Sequence, residues 1–263
     1  MLRQLIWAAI AAAAWACGDP QADAPTRRGP DGAAAGPALA GRVLVSAAAS
    51  LTDAFAELER AFESAHPGVD VVLNLGSSST LRAQILEGAP VDVFASANIS
   101  NMDQVAAAGG VAGEPRIFAR NRLRIAVPKG NPAGVGGLRD FGRGELLLGL
   151  CAEEVPCGAF ARQALARAGV VAAIDTNERD VRALLTRVEL GELDAGIAYV
   201  TDVVSSRGGV EGIEIPEEHN VVAEYPIAVL AGAPNPEAAA AFVAFVLSDE
   251  AQAILGKHGF IAP

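Results

Sequence analysis

The sequence predicts an α/β protein of two lobes, each a mostly parallel sheet flanked by helices, with two crossover strands joining them. Three observations carry this reading. Apolar strand-like runs alternate with segments of helical period from about residue 42 to the C-terminus, and such alternation buries parallel sheets under helices on both faces. The alternation runs through twice. Two further strands, Leu123–Val127 and Tyr225–Leu230, fall between the runs and are placed to join the lobes. At 263 residues, 51 % of them hydrophobic, the chain is long enough for two cores of ordinary size. No repeat of roughly 20–50 residues is visible.

The elements follow in order. Arg42–Ala47 is a short apolar strand. A helix begins at once, with Leu51, Ala54, Phe55, Leu58 and Phe62 on one stripe. Ser50 precedes it and Asp53 stands three residues on, close to a capping box. Val69–Leu75 is the next strand. The run Ser77–Thr80 opens a helix carrying Leu81 and Ile85, stopped by Gly88. Val91–Ala95 is a third strand, followed by a helix from about Ser100 to Gly109. Leu123–Val127 is a strand closed by Pro128. The second run starts with the strand Leu146–Leu150, then a loop with two cysteines, then a helix from about Gly158 to Gly169. Arg179–Leu190 is amphipathic, with Val181, Leu184, Leu185 and Val188 on its stripe. Ala195–Val200 and Tyr225–Leu230 are strands. Pro236–Leu247 is helical, and a last helix is capped by Ser248 or Asp249. The tail is expected to return to the first lobe.

The N-terminus reads as an export signal. Arg3 gives a positive start and Leu5–Ala16 is an unbroken apolar run of 12 residues. A spanning helix needs roughly 20. Ala14-Trp15-Ala16 fits a small-x-small cleavage site for secretion. The same residues with Cys17 resemble a bacterial lipobox, in which the cysteine becomes the lipidated first residue. Ala14 stands where leucine is usual and Trp15 is bulky, so both readings stay open. Residues 18–41 are Gly, Ala, Pro and charge without a period, a tether that cannot bury a core.

Composition narrows the function. A net charge of −11 excludes a general nucleic-acid binder, which needs a basic face. Taken alone it also speaks against an anionic ligand. Three loops say otherwise. Ala47–Ser50, Gly76–Thr80 and Ala95–Asn98 each run from a strand through small residues into a helix. Ligands of doubly wound sheets bind beyond the carboxyl ends of the strands. Helix N-termini there offer free N–H groups and about half a positive charge, and serine hydroxyls add neutral donors. Together these make an oxyanion site without Arg or Lys. The plainer alternative is that Ser50, Ser77 and Thr80 only cap helices.

The motifs AAASLTDAF (47–55), GSSSTLRAQILEGAPVDVFASA (76–97), VPCGAFARQAL (155–165), DVRALLTRVELGELDAGIAY (180–199), EYPIAVL (224–230) and GKHGF (256–260) occur in this order. In order and spacing the chain resembles the molybdate-binding proteins of bacterial ABC importers, from about residue 42 to the end. The resemblance implies a type II periplasmic-binding-protein fold. Lobe I would hold residues 42–124 and 227–263, and lobe II residues 125–226. It implies that Ser50 and Ser78 donate through hydroxyl and backbone N–H, and Ala97 through its N–H. Cys157 and Val181 would add N–H groups and Tyr199 a hydroxyl. These would cradle molybdate or tungstate in the cleft, with no cofactor and no free metal cation. On the residues alone, Tyr199 reads first as a core tyrosine at a strand end. The implied partners are the importer's permease and ATPase subunits, and the membrane where Cys17 is lipidated. The implied location is periplasmic, or the outer face of the cytoplasmic membrane. The protein is expected to be a monomer and no enzyme.

Many relatives carry Ala at position 157. Here Cys157 follows Cys151 by six residues, and outside the cytoplasm a disulfide is expected between them. Glu153-Glu154 reads as a solvated loop. Asp180 and Arg182 could form a local ion pair at the helix start, or Arg182 could line the cleft, though the resemblance does not require it as a ligand; His66, His219 and His258 read as surface residues. A serine hydrolase lacks its inventory: there is no Gly-x-Ser-x-Gly, no Ser-x-x-Lys and no motif-like histidine. A regulator's sensing domain would lack the export signal. A ferric site wants several tyrosines, and only Tyr199 and Tyr225 exist. Phosphate carries a proton that needs an acceptor. Sulfate, in a protein of the same fold, is the remaining rival.

Overall fold

The computed structural model describes residues 38–263. The signal segment 1–17 with Cys17, and the tether up to residue 37, lie outside the described residues. The elements in chain order are β1 (Gly41–Ala48), α1 (Thr52–Ala65), β2 (Val69–Gly76), α2 (Ser78–Leu86), β3 (Val93–Ala95), α3 (Ile99–Ala107) and β4 (Arg116–Pro128). Then come β5 (Leu148–Cys151), α4 (Pro156–Arg167), β6 (Thr176–Glu178), α5 (Val181–Glu189), β7 (Ala195–Tyr199), α6 (Val200–Ser205) and β8 (Val210–Glu214). The chain closes with β9 (Val222–Val229), α7 (Pro236–Val246) and α8 (Asp249–Lys257). Short 3-10 turns at Ala49–Leu51 and Leu138–Gly142 complete the set.

The strand order is β2-β1-β3-β9-β4-β7-β5-β6, with β8 also paired to β4. The ladder divides at β4. Its first half, Arg116–Arg122, pairs antiparallel with β9, and β9 in turn pairs with β3. Its second half, Leu123–Pro128, pairs with β7 and β8. One set of strands therefore gathers parallel β1, β2 and β3, and the other gathers parallel β5, β6 and β7. β4 and β9 are the only described strands joining the two, as the two crossovers required. Both start earlier than read from sequence, at Arg116 and Val222. The alternation of Arg116–Arg122 is broken at Phe118-Ala119, where the register with β9 shifts, and Val222–Glu224 is too short to show a period.

Three more differences have physical reasons. β6, β8 and α6 were not anticipated. β6 and β8 are short, largely polar edge strands (TNE and VEGIE) without an apolar run, and α6 is a single short helix grown directly from the end of β7. α3 and α4 begin at Ile99 and Pro156, one and two residues earlier than expected, because Asn98 caps α3 and Pro156 occupies the first turn of α4. The tether ends sooner than residue 41. Asn235 Nδ2 donates to the Ala40 carbonyl at 2.9 Å, and Gly41 already belongs to β1.

The core forms where the periodicity put it. Ala54, Phe55, Leu58 and Phe62 bury one face of α1. Phe55 meets Phe118 of the hinge strand edge-on at 5.8 Å, and Phe62 meets Phe242 of α7 at 5.3 Å. Such pairs contribute roughly 0.5–1.5 kcal/mol beyond area burial. They fasten the C-terminal helices onto the first set of strands, so the tail does return to it.

Candidate functional site

The helix caps show how the loops are spent. Ser77 caps α2, its hydroxyl accepting from Thr80 N at 3.2 Å. The capping reading therefore holds for Ser77, and its neighbour Ser78 becomes the first helical residue. Asp180 caps α5 through Ala183 N at 2.8 Å, so it is no partner for Arg182. Ser248 caps α8. The expected Ser50–Asp53 box does not form. Ser50 sits inside a 3-10 turn, and α1 starts after Leu51 without a side-chain cap. Ser50 Oγ instead meets the Tyr225 hydroxyl at 2.9 Å, while Asp53 faces Arg182.

All six residues expected at the site line one small cavity. Ser50, Ser78 and Ala97 come from the first set of strands and helices; Cys157, Val181 and Tyr199 come from the second. Each is at most 6 % exposed. The cavity leaves about 20 Å³ for the centre of a water-sized sphere, against the roughly 300–1,000 Å³ of organic-ligand sites. It fits a compact ion. A wider groove of about 530 Å³ lies between α3 and α4, but Glu153, Glu154 and Glu224 line it beside Arg82. Three carboxylates disqualify it as an anion site.

The cradle is built of donors. Ser78, Cys157 and Val181 all lie in the first turns of α2, α4 and α5, where N–H groups have no intrahelical acceptor. The positive ends of three helix dipoles thus converge. Among the described residues no Lys or Arg lines the cavity, and the one charged residue that does, Asp180, is committed to Ala183 N and to Arg179. Tyr199 is 1 % exposed and its hydroxyl has no hydrogen-bond partner among the described residues. A buried hydroxyl left unpaired costs about 1–3 kcal/mol. Burial, the nearby Tyr225 and Asp202 hold its pKa well above the ordinary tyrosine value, so it remains a neutral donor.

Two features were not legible in sequence. Ala97 N donates to Ser78 Oγ at 2.9 Å. In this structure the Ala97 N–H therefore serves Ser78 rather than the cavity, and orients the serine so that its own proton is free. Behind Ser50 stands a relay: Asn121 Nδ2 donates to the Tyr225 hydroxyl at 3.4 Å and to Thr201 Oγ1 at 2.8 Å. The Tyr225 hydroxyl also meets Ser50 Oγ at 2.9 Å, so the relay fixes the position of Ser50 at the cavity edge. A lone Asn in a buried crossover strand was the available signal. His258 is also not a free surface residue, since its Nε2 lies 2.9 Å from Glu57.

Cys151 and Cys157 form a disulfide, with Cα atoms 5.9 Å apart. It ties the end of β5 to the first turn of α4, and Arg162 Nη1 braces the same corner through the Cys151 carbonyl at 2.9 Å. Cross-linking so short a loop removes roughly 2 kcal/mol of denatured-state entropy. The Cys151→Ser/Cys157→Ser double variant is expected to lose about that much stability in urea titration. Equal midpoints and slopes would show the bridge to be idle.

Beneath Tyr199 lies Asp202, fully buried, with Oδ2 accepting from Tyr199 N at 3.0 Å and Oδ1 without a partner among the described residues. Burial pushes its pKa up to about 7, against the opposing pull of Arg182 and the Tyr199 N–H. The folded state therefore binds a proton that the unfolded chain has released. Stability contributed by the neutral acid is present at low pH and falls as pH rises from about 4 through 7. Asp202→Asn should flatten that part of the stability–pH profile, as read by thermal melts in a buffer series.

The chain is similar to known proteins over nearly its whole length. A family model described as bacterial extracellular solute-binding protein matches residues 43–261. The molybdate-binding protein ModA of Mycobacterium tuberculosis is 36 % identical over 260 residues, 98 % of this chain and 97 % of that one. The solved periplasmic molybdate-binding protein of Azotobacter vinelandii superposes with a TM-score of 0.74 at 19 % identity, covering 84 % of this chain and 99 % of the other. The sulfate-binding protein SubI of M. tuberculosis superposes equally well, at a TM-score of 0.75 and 18 % identity, over 84 % of this chain and 86 % of that one. At such identities the superpositions speak for the fold alone.

Proposed function

The chain belongs to the bacterial extracellular solute-binding protein family, and from that premise we propose that it captures molybdate between its two lobes and delivers it to an ABC importer. Tungstate, with the same charge and shape, is taken as a second ligand. The lobes divide at the crossover strands, with residues 42–124 and 227–263 on one side and 125–226 on the other.

One observation carries the reading: Tyr199, whose buried hydroxyl has no partner among the described residues, lines a cavity whose other proposed ligating groups are all donors. Such a cradle favours an ion that only accepts hydrogen bonds. A fully deprotonated tetrahedral dianion meets that condition, and a protonated phosphate does not. Hydrogen bonds to a charged group contribute roughly 1.5–3 kcal/mol each. Ser50, Ser78, Cys157, Val181 and Tyr199 supply them from both lobes, and Ala97 supports Ser78. Binding energy is gained in full only when the lobes meet, so capture and closure are one event. The closed form is what the permease receives, and ATP hydrolysis in the importer reopens it. The chain itself catalyses no step.

Its acidity does not oppose this. The net charge of −11 describes the surface, while the ligand meets local N–H dipoles in a water-excluded cleft. Export follows from the leader, and Cys17 is proposed as the lipid anchor. Mass spectrometry of the membrane fraction should find an acylated N-terminal peptide beginning at Cys17. For the ligand, titration calorimetry against molybdate, tungstate and sulfate is expected to show tight binding of the first two and weak binding of sulfate. Heat with sulfate alone would sink the assignment.

A further inference from the structure

We propose that Arg182 is a positioning residue that latches the closed cleft, so that the Arg182–Asp53 pair governs how slowly the bound oxyanion leaves; this rests on the capture reading above. Arg182 follows Val181 in the first turn of α5, on the second lobe. Its guanidinium does not line the cavity. It reaches across the cleft instead. Nη2 pairs with Asp53 in the first turn of α1, Nε points to the Ala49 carbonyl at 3.4 Å, and Nη1 donates to Ser205 Oγ at 3.0 Å. Ala49 immediately precedes Ser50. One side chain therefore joins the loop carrying the Ser50 donor to the helix start carrying the Val181 donor. Ser205 Oγ in turn donates to the Asp202 carbonyl at 2.7 Å, which fixes the fork to α6.

The geometry suits a latch more than a static brace. Arg182 and Asp53 sit on opposite sides of the hinge formed by β4 and β9, so the pair must break when the lobes part. The side chains are 29 % and 40 % exposed, which keeps the pair screened and modest in strength. A latch of this kind allows opening on demand, where a buried pair would resist it. The planar fork matters too: a lysine could reach Asp53 or Ala49, but not Asp53, Ala49 and Ser205 together. Because the pair is made only after closure, its loss should appear in dissociation and leave association nearly unchanged.

The test is a rapid-dilution chase of radiolabelled molybdate from the full-length protein, its Asp53→Asn variant and its Arg182→Lys variant. Asp53→Asn preserves volume and removes one charge on an exposed helix turn, so folding is not at stake. Arg182→Lys keeps the charge and loses the fork. Dissociation should quicken about fivefold in Asp53→Asn and by a similar factor in Arg182→Lys, with association rates within twofold of the parent. The quickening in Asp53→Asn should shrink in high salt, because the parent's own latch is then screened. A purely structural role would lower melting temperature without this kinetic split. A parent that holds molybdate while both variants release it at the parental rate overturns the latch alone. A parent that takes up no molybdate overturns the capture reading and the latch with it.

Discussion

Tyr199→Phe should weaken molybdate binding by roughly ten- to a hundredfold and leave the protein at least as stable as before. The two halves of this expectation come from one fact. The Tyr199 hydroxyl is buried and has no hydrogen-bond partner among the described residues. Deleting it breaks no hydrogen bond among the described residues and relieves the cost of an unpaired donor, about 1–3 kcal/mol at most. Deleting it from the complex removes a bond to a dianion, and bonds to charged groups are the strong ones. Ordinary buried tyrosines behave the opposite way, since loss of the hydroxyl breaks a protein bond. Calorimetry and a thermal melt on the same sample separate the cases. A melting temperature that drops while affinity stays constant would make Tyr199 a core tyrosine.

Gly158→Ala should destabilise the protein by about 2–3 kcal/mol and weaken binding at least tenfold. On helix propensity alone the change would stabilise α4 by about 1 kcal/mol. Sterics reverse the sign. A Cβ at position 158 runs into the carbonyl oxygens of Cys151 and Ala152. Both obstacles are backbone, and the disulfide and Arg162 hold that corner in place. Either the first turn of α4 or the 151–152 loop must shift, and each carries the Cys157 N–H with it. Denaturant titration reads the stability and calorimetry the affinity. A variant that melts higher than its parent would show that the corner yields freely.

The sequence spoke most clearly where one physical rule acted alone. The α1 stripe, the buried β1 and β7, and the glycine stops at 109, 169 and 191 follow from periodicity and backbone freedom, and they were placed within a residue or two. The hinge was half legible: β4 and β9 are apolar only where they enter a core, and their outer halves show charged faces. For the site, six residues scattered over 150 positions were named through resemblance, since no local pattern distinguishes Ser78 from its capping neighbour Ser77. What resemblance could not give were the second partners. Asn121 behind Tyr225, Ala97 against Ser78, and Arg182 across to Asp53 are separated by 104, 19 and 129 residues. Their meeting depends on the fold as a whole.

The two tyrosines have a consequence for how the protein can be observed. Both tryptophans, Trp7 and Trp15, precede Cys17. A chain cleaved there keeps Tyr199 and Tyr225 as its only strong near-ultraviolet chromophores. Tyr199 lines the cavity, and Tyr225 reaches it through Ser50, with the two rings 6.0 Å apart. Every photon such a chain emits as tyrosine fluorescence therefore originates beside the cavity. Uptake of an oxyanion should alter the absorption and emission of the unlabelled protein with no distant background to subtract.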